Sequence, residues 1–439
     1  MSTADLALVL IYAGLLVVAL IGADRAGKAL GMAAEGRRKI VHVALGLAVL
    51  TLPFVFAGPG PVVLLCVLCV GVLMLARRQR ALGAALHDVG RASLGEIYFA
   101  VSVAGLFLLQ AVGVKAGAAA AAISADPSVF FIVPIAIMTL ADTAAALAGT
   151  EYGKRIFFVE RGHKSVEGVA AFFLVSWLVA LILLLLLTGI PRAEVVALSA
   201  FLAFVGASIE AESWGGLDNL FVPFGAYLIL IGLAPAGLGT ILLYTLGYAT
   251  AVVVSHRIAR ARDVAQQPIR AAILLVAVFL MSFGALNTML LATAVGMTLA
   301  ANRIAPPAEK HADLHTVFAV VAIGLIWLVA GNAVGRDFIL FFSISVAIYG
   351  AAMAAIALRR RRWAVMLAVA AIGTVLVVRL HLDAAETAPA HMLPGLAGVL
   401  AVPVLCLGWP GLFARRRALK VTLAALGFSG VSAAVMGAG

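Results

Sequence analysis

"SVFFIVPIAIMTLADTAAALAG", residues 128–149, is an apolar run of 22 residues that carries one charge, Asp142. About 20 such residues span the hydrocarbon core of a bilayer as a helix. A helix is the default there because lipid offers no partner to backbone N–H and C=O groups. A carboxylate in such a helix costs a few kcal/mol and belongs where it faces protein or a polar pocket. The stretch therefore reads as a membrane helix with a functional carboxylate one to two turns before its end. Similar runs fall at about 6–23, 40–57, 61–76, 97–114, 168–189, 194–210, 220–234 and 237–254. Further runs follow at about 271–300, 314–331, 338–357, 363–380, 393–409 and 418–436. The chain reads as an all-α, polytopic integral membrane protein with about 14 transmembrane helices. Composition agrees: 12% of residues are charged, about half the share of a soluble domain.

The net charge of +11 points to topology and not to nucleic acid, because the basic residues sit in loops. Segments 24–39, 77–96, 150–167 and 255–270 hold five, four, four and four Lys or Arg, whereas 58–60, 115–127, 190–193 and 235–236 hold zero, one, one and zero. The positive-inside rule places the first set in the cytoplasm and the N-terminus outside. Leu6–Gly22 lacks the basic flank of a cleavable signal, so it reads as a retained span. Heavy use of arginine and alanine suggests a bacterial inner membrane. Cys66 and Cys69 lie in an uncharged apolar run and read as packing residues.

Polar residues gather around the cytoplasmic loops. Gly149 and Gly153 stand four apart beside Lys154. Glycines let a backbone approach phosphate, and lysine adds a point charge. The spacing is not a Walker A loop, which needs one more residue between the glycines and a Ser or Thr after the lysine. "HKSVEG" (163–168) places Lys164, Ser165 and Glu167 at the start of the next span, where a helix N-terminus favours anions. "EGRRKIVH" (35–42) sets Arg38 and Lys39 at another span's start, with His42 one turn inside. "EAESWGGLDNLFVP" (210–223) reads as an acidic loop among basic ones, offering Glu210, Glu212, Asp218 and Asn219. Oxygen donors of this kind suit Mg²⁺, which bridges nucleotide phosphates.

Arg-Lys-x-x-His (38–42), Asp-Thr-x-Ala with two later glycines (142–153), Lys-Ser-x-Glu-Gly (164–168) and Asp-Asn-x-x-Val-Pro (218–223) occur in that order. Together they resemble the CTP-dependent lipid kinases, which include dolichol kinase, phytol kinase and the CTP-dependent diacylglycerol kinase. The resemblance covers about residues 24–255. It implies transfer of the CTP γ-phosphate to the hydroxyl of a lipid alcohol, with Mg²⁺ as cofactor and CTP as co-substrate. Carried over residue by residue, it implies Asp142, Lys164, Glu167 and Asp218 as catalytic. Arg38, Lys39, Gly149, Gly153, Lys154, Ser165 and Asn219 would bind the nucleotide, and Asp142 and Asp218 the metal. One departure is Val169, where the family usually has Ser or Thr. The related phosphatidate cytidylyltransferases share two of the elements, but their His-Gly-Gly-x-x-Asp-Arg type signature is absent; "WGGLDN" (214–219) ends in Asn219 where arginine belongs. A transporter would place broken helices near mid-membrane in related halves. Here the polar motifs sit at one surface of the first half.

The polar stretch 255–270 suggests a lipid kinase-like domain at 1–256 and a second membrane domain at 257–439. The Arg359–Arg362 and Arg415–Arg417 clusters fit the cytoplasm. To bring them there, 271–300 must cross an even number of times, with a break around "SFGALN" (282–287). His311 and His315 stand four apart, but Ala312 replaces the glutamate of a zinc-protease pair. Asn287, Asn332, Arg336 and Asp337 read as helix–helix hydrogen-bonding groups.

Overall fold

The computed structural model describes residues 2–78, 94–160, 162–261, 266–304, 306–307, 309, 311–333, 338–383, 393–413 and 415–437. Most of the basic loop 77–96, together with residues 262–265, Arg336 and Asp337, lies outside the described residues, as does the Asn287 side chain. The fold is helical, and 11 of the described helices are long and apolar enough to cross a membrane. Shorter apolar helices accompany them, among them Pro59–Leu75 and Asp218–Leu233, which overlap two of the expected spans. The chain divides into two units, Met1–Gly247 and Tyr248–Gly439.

The first unit contains α1 (Thr3–Ala29), α2 (Ala34–Val49), α3 (Leu52–Val55), α4 (Pro59–Arg78), α5 (Gly95–Val112), α6 (Val114–Ala122) and α7 (Val129–Tyr152). A short antiparallel hairpin follows, β1 (Ile156–Val159) and β2 (Gly162–Ser165), with Ile156 opposite Ser165 and Val159 opposite Gly162. Then come α8 (Val166–Leu187), α9 (Arg192–Glu212), α10 (Asp218–Leu233) and α11 (Leu238–Ala261). The division between units falls inside α11. Ser2 starts the first helix with a reciprocal cap: its hydroxyl accepts from the Asp5 N–H at 3.1 Å, and its own N–H donates to Asp5 Oδ2 at 2.7 Å. Each bond satisfies an N–H that a helix start otherwise leaves open.

Helix α7 is the centre of this unit, and every residue from Val129 to Thr139 is buried. A helix that is apolar on all faces belongs inside a bundle. Its approach to α2 depends on Gly46. A Cβ built there would lie 2.3 Å from the Thr139 Cγ2 and Oγ1 atoms. This contact and the Lys39 contact with Asp142 advance in opposite directions along the two helices, so α2 runs antiparallel to α7. Gly46→Ala is expected to lower stability by about 1–3 kcal/mol through overpacking and to slow any reaction at the Asp142 end. Thr139→Ala added to it should restore part of both. An unchanged melting temperature and rate for Gly46→Ala would exclude this register.

The second unit contains α12 (Gln266–Ile304), α13 (Ala312–Ala333), α14 (Phe338–Leu358), α15 (Arg362–Asp383), α16 (Leu393–Gly408) and α17 (Arg417–Gly437). Helix α12 is two helices joined at Gly284, whose φ of 78° and ψ of 173° are accessible to glycine almost alone. The break lies within "SFGALN". Helix α14 is buried along nearly its whole length. Polar groups in this apolar interior pair with one another: Trp327 Nε1 donates to Ser345 Oγ at 2.8 Å, and Ser345 Oγ meets Ser429 Oγ at 2.6 Å. Asn332 Nδ2 donates to the Leu328 carbonyl at 2.7 Å. Cys66, Cys69 and Cys406 are free thiols.

Candidate active site

Four helix or strand ends of the first unit meet the middle of α7 at one point. Near the start of α2, Lys39 is buried, and its Nζ lies 2.6 Å from Asp142 Oδ2, just past the middle of α7. His42, one turn further along α2, places Nε2 at 3.6 Å from the same oxygen and packs its ring against Phe99. From the end of β2, Lys164 Nζ reaches Glu210 Oε1 at 2.6 Å and also donates to the Glu210 carbonyl. Glu210 lies in the last turn of α9 and Asp218 opens α10. One carboxylate oxygen each from Asp142, Glu210 and Asp218 lie within 4.8 Å of one another.

The loop between α9 and α10 explains how two acids eight residues apart face each other. Gly215 and Gly216 have φ of 62° and 89°, a left-handed pair that side chains resist and glycine adopts freely. The chain reverses within Ser213–Leu217, so the end of α9 and the start of α10 lie side by side. A carboxylate at the first position of α10 is further favoured by the helix dipole.

Three carboxylates this close repel one another, and the ammonium groups of buried Lys39 and part-buried Lys164 offset most of that charge. Burial lowers the pKa of Lys164, but Glu210 and Asp218 outweigh it and hold Lys164 above the ordinary lysine value. It therefore stays charged at neutral pH. Buried pairs of this kind add little net stability, whereas removing one partner leaves a costly unpaired charge. Their use is chemical. Among the described residues, Glu210 is 7% exposed and its Oε2 has no hydrogen-bond partner. The Asn219 Oδ1 and His42 Nε2 atoms are likewise buried without a hydrogen bond. Orphaned oxygens on a tight carboxylate group are what a hard divalent cation would satisfy.

The sequence reading named Lys39, Asp142, Lys164 and Asp218, and the fold brings them together. Asn219 is adjacent: its N–H donates to Asp218 Oδ1 at 3.2 Å and its carbonyl accepts from Ser102 Oγ at 2.8 Å. Arg38 is exposed, with Asp142 in electrostatic reach. Glu210, which the sequence offers as one of four oxygen donors in an acidic loop, sits instead in the last turn of α9, a carboxylate within an apolar helix like Asp142.

The remaining named residues build the support of the site. Ser165 caps α8, accepting from the Gly168 N–H at 3.1 Å. Cβ atoms added at Gly149, Gly153 or Gly168 would each lie 3.1 Å from its Oγ or Cβ. The glycines thus allow α7, the cap and α8 to close on one another. Glu167 accepts from the backbone N–H groups of Lys154 and Arg155 at 3.2 Å, while the Lys154 side chain is exposed. That clamp ties the start of α8 to the chain leaving α7, and so fixes where β2 delivers Lys164. Glu167→Ala is expected to make the hairpin sensitive to protease and to lower turnover without altering metal dependence. A changed metal requirement would place Glu167 among the ligands instead.

No family model matches the chain, and no solved structure matches it. A phytol kinase of Synechocystis sp. is 32% identical over 197 residues, 45% of this chain and 78% of the relative. With that likeness covering most of the relative's length, the chain belongs, over that segment, to the lipid kinase family of phytol kinase.

Proposed function

We propose that the first unit transfers the γ-phosphate of CTP to the hydroxyl of a membrane lipid alcohol with the help of a divalent cation of the Mg²⁺ class. The observation that carries this is the group of Asp142, Glu210 and Asp218, the first two buried and the third partly so, gathered within 4.8 Å, with Lys39 on Asp142 and Lys164 on Glu210. Phosphoryl transfer needs little covalent help from a protein; positioning and charge stabilisation do most of the work. Asp142, Asp218 and Glu210 would hold the cation, which when bound supplies charge neutralisation at the phosphates. Lys39 and Lys164, which contact Asp142 and Glu210, would take anionic phosphate oxygens, with exposed Arg38 as a further cation. His42 Nε2, 3.6 Å from Asp142, is positioned to orient an incoming hydroxyl. CTP as the donor rests on the motif resemblance, and a phytol-like acceptor on the name of the Synechocystis relative.

The loop charges support a site that opens to the cytoplasm of a bacterial cell. Residues 1–256 contain every motif residue and would form the kinase domain, with 257–439 as a separate membrane domain. The test is to incubate the purified protein with CTP labelled at the α- or γ-phosphate and with phytol, a polyprenol or diacylglycerol. Label from the γ position is expected in the lipid. Label from the α position would mean cytidylyl transfer, and no label with any acceptor would refute the proposal. The same assay on 1–256 alone, and on that segment co-expressed with 257–439, tests the domain assignment.

A further inference from the structure

The hairpin that delivers Lys164 has a second face with no part in the carboxylate site. Successive residues of a strand point to opposite faces, and residues directly opposite in an antiparallel pair share one. Phe157 stands opposite Lys164, and both are half-buried on the face from which Lys164 reaches Glu210. Phe158 stands opposite His163, and both are exposed on the other face. Phe158 is 85% exposed, and Ile156, on the same side of β1, is exposed as well. Tyr152, the last residue of α7, is 67% exposed just before the hairpin. Three large side chains thus lie open beside the exposed cations Lys154 and Arg155.

Two observations put this face in the headgroup layer of the bilayer and not in water or against protein. The first is continuity with a lipid-facing surface. Val166, Ala170, Leu174, Leu178 and Ile182 recur every fourth residue of α8 and are all exposed. Such a row forms one ridge of a helix, and on a spanning helix an open apolar ridge faces lipid. The ridge begins at the foot of the hairpin. The Val166 N–H donates to the Arg155 carbonyl at 2.9 Å, so the open apolar surface passes from Val166 to Ile156 and on to Phe158. The second observation is length. The 22 residues of α8 measure about 33 Å, and the hydrocarbon core is about 30 Å thick. The core consumes the helix, so the hairpin before Val166 falls in the interfacial layer. Aromatic rings settle in that layer, with neighbouring Lys and Arg among the headgroups.

We propose that the outer face of the hairpin, with Ile156 and Phe158 at its centre, is a lipid-contact surface that docks in the headgroup layer of the bilayer. The hairpin is then two-sided, with Lys164 turned to the carboxylates and Phe158 to lipid. The test reads depth and needs no enzymatic activity. Full-length protein with Cys66, Cys69 and Cys406 replaced by alanine carries a nitroxide at Phe158→Cys and is reconstituted in phosphatidylcholine vesicles. Power saturation measures collisions with oxygen, which concentrates in lipid, and with a water-soluble nickel chelate present on both sides. The ratio of oxygen to nickel collisions is expected to exceed that of free nitroxide several-fold. It should fall short of the ratio at Leu178→Cys, further along the ridge of α8. A label at Phe158→Cys as open to nickel as free nitroxide puts the face in water and overturns the proposal. A label shielded from both reagents means that protein covers the face, a second copy or another partner, and overturns it too. If Phe158→Cys does not fold, Ile156→Cys decides by the same outcomes.

Discussion

Asp142→Asn will produce a protein that inserts into the membrane and transfers no detectable phosphate, a loss of about a thousandfold or more. The side chain is buried at the meeting point of Lys39, His42, Glu210 and Asp218. Asparagine keeps the shape and removes the charge, so a ligand and the partner of Lys39 disappear together. Breaking one side of a buried pair costs about 3–5 kcal/mol, and the single variant should melt earlier for that reason. Lys39→Met combined with Asp142→Asn removes both charges and should recover much of the stability while recovering no activity. That separation distinguishes a chemical role from a structural one. An Asn variant within tenfold of native turnover would remove Asp142 from the reaction.

Glu210→Gln has the second largest expected effect and a different signature. Glutamine can still accept from Lys164 through Oε1, so the hydrogen bond at 2.6 Å has a neutral substitute. What is lost is the charge on Oε2, the atom with no partner among the described residues. The half-saturating Mg²⁺ concentration should rise by about ten- to a hundredfold, and Mn²⁺ binding followed by electron paramagnetic resonance should weaken in parallel. The rate at saturating metal should fall less than in Asp142→Asn. Unaltered metal dependence would show that Glu210 serves only to hold Lys164.

Much of this molecule is written in its periodicity. Apolar runs about 20 residues long dictate helices because a bilayer leaves the backbone no other partner. Asp142 stood out as a candidate for the same reason, since a charge within such a run needs a purpose, and it lies in the carboxylate cluster. The break at Gly284 was foreshadowed by a run too long for one span and short for two. The hairpin at 156–165 was not legible. Its strands are four residues each, too short for alternation to register against the surrounding helices.

The sequence by itself determined the helical membrane fold and the order of Lys39, Asp142, Lys164 and Asp218 along the chain. These follow from local physics: transfer of each segment to lipid, and the cost of each charge within it. Only the tertiary structure decided which of the polar residues face one another. Glu210 enters the site because Gly215 and Gly216 reverse the chain between α9 and α10. Gly149, Gly153 and Ser165 are absorbed in packing because α7 and α8 approach to contact distance there. Glycines beside a lysine read the same whether the close approach is to a phosphate or to another helix. The difference lies in which atom occupies the missing Cβ's space, and that depends on segments far apart in the chain.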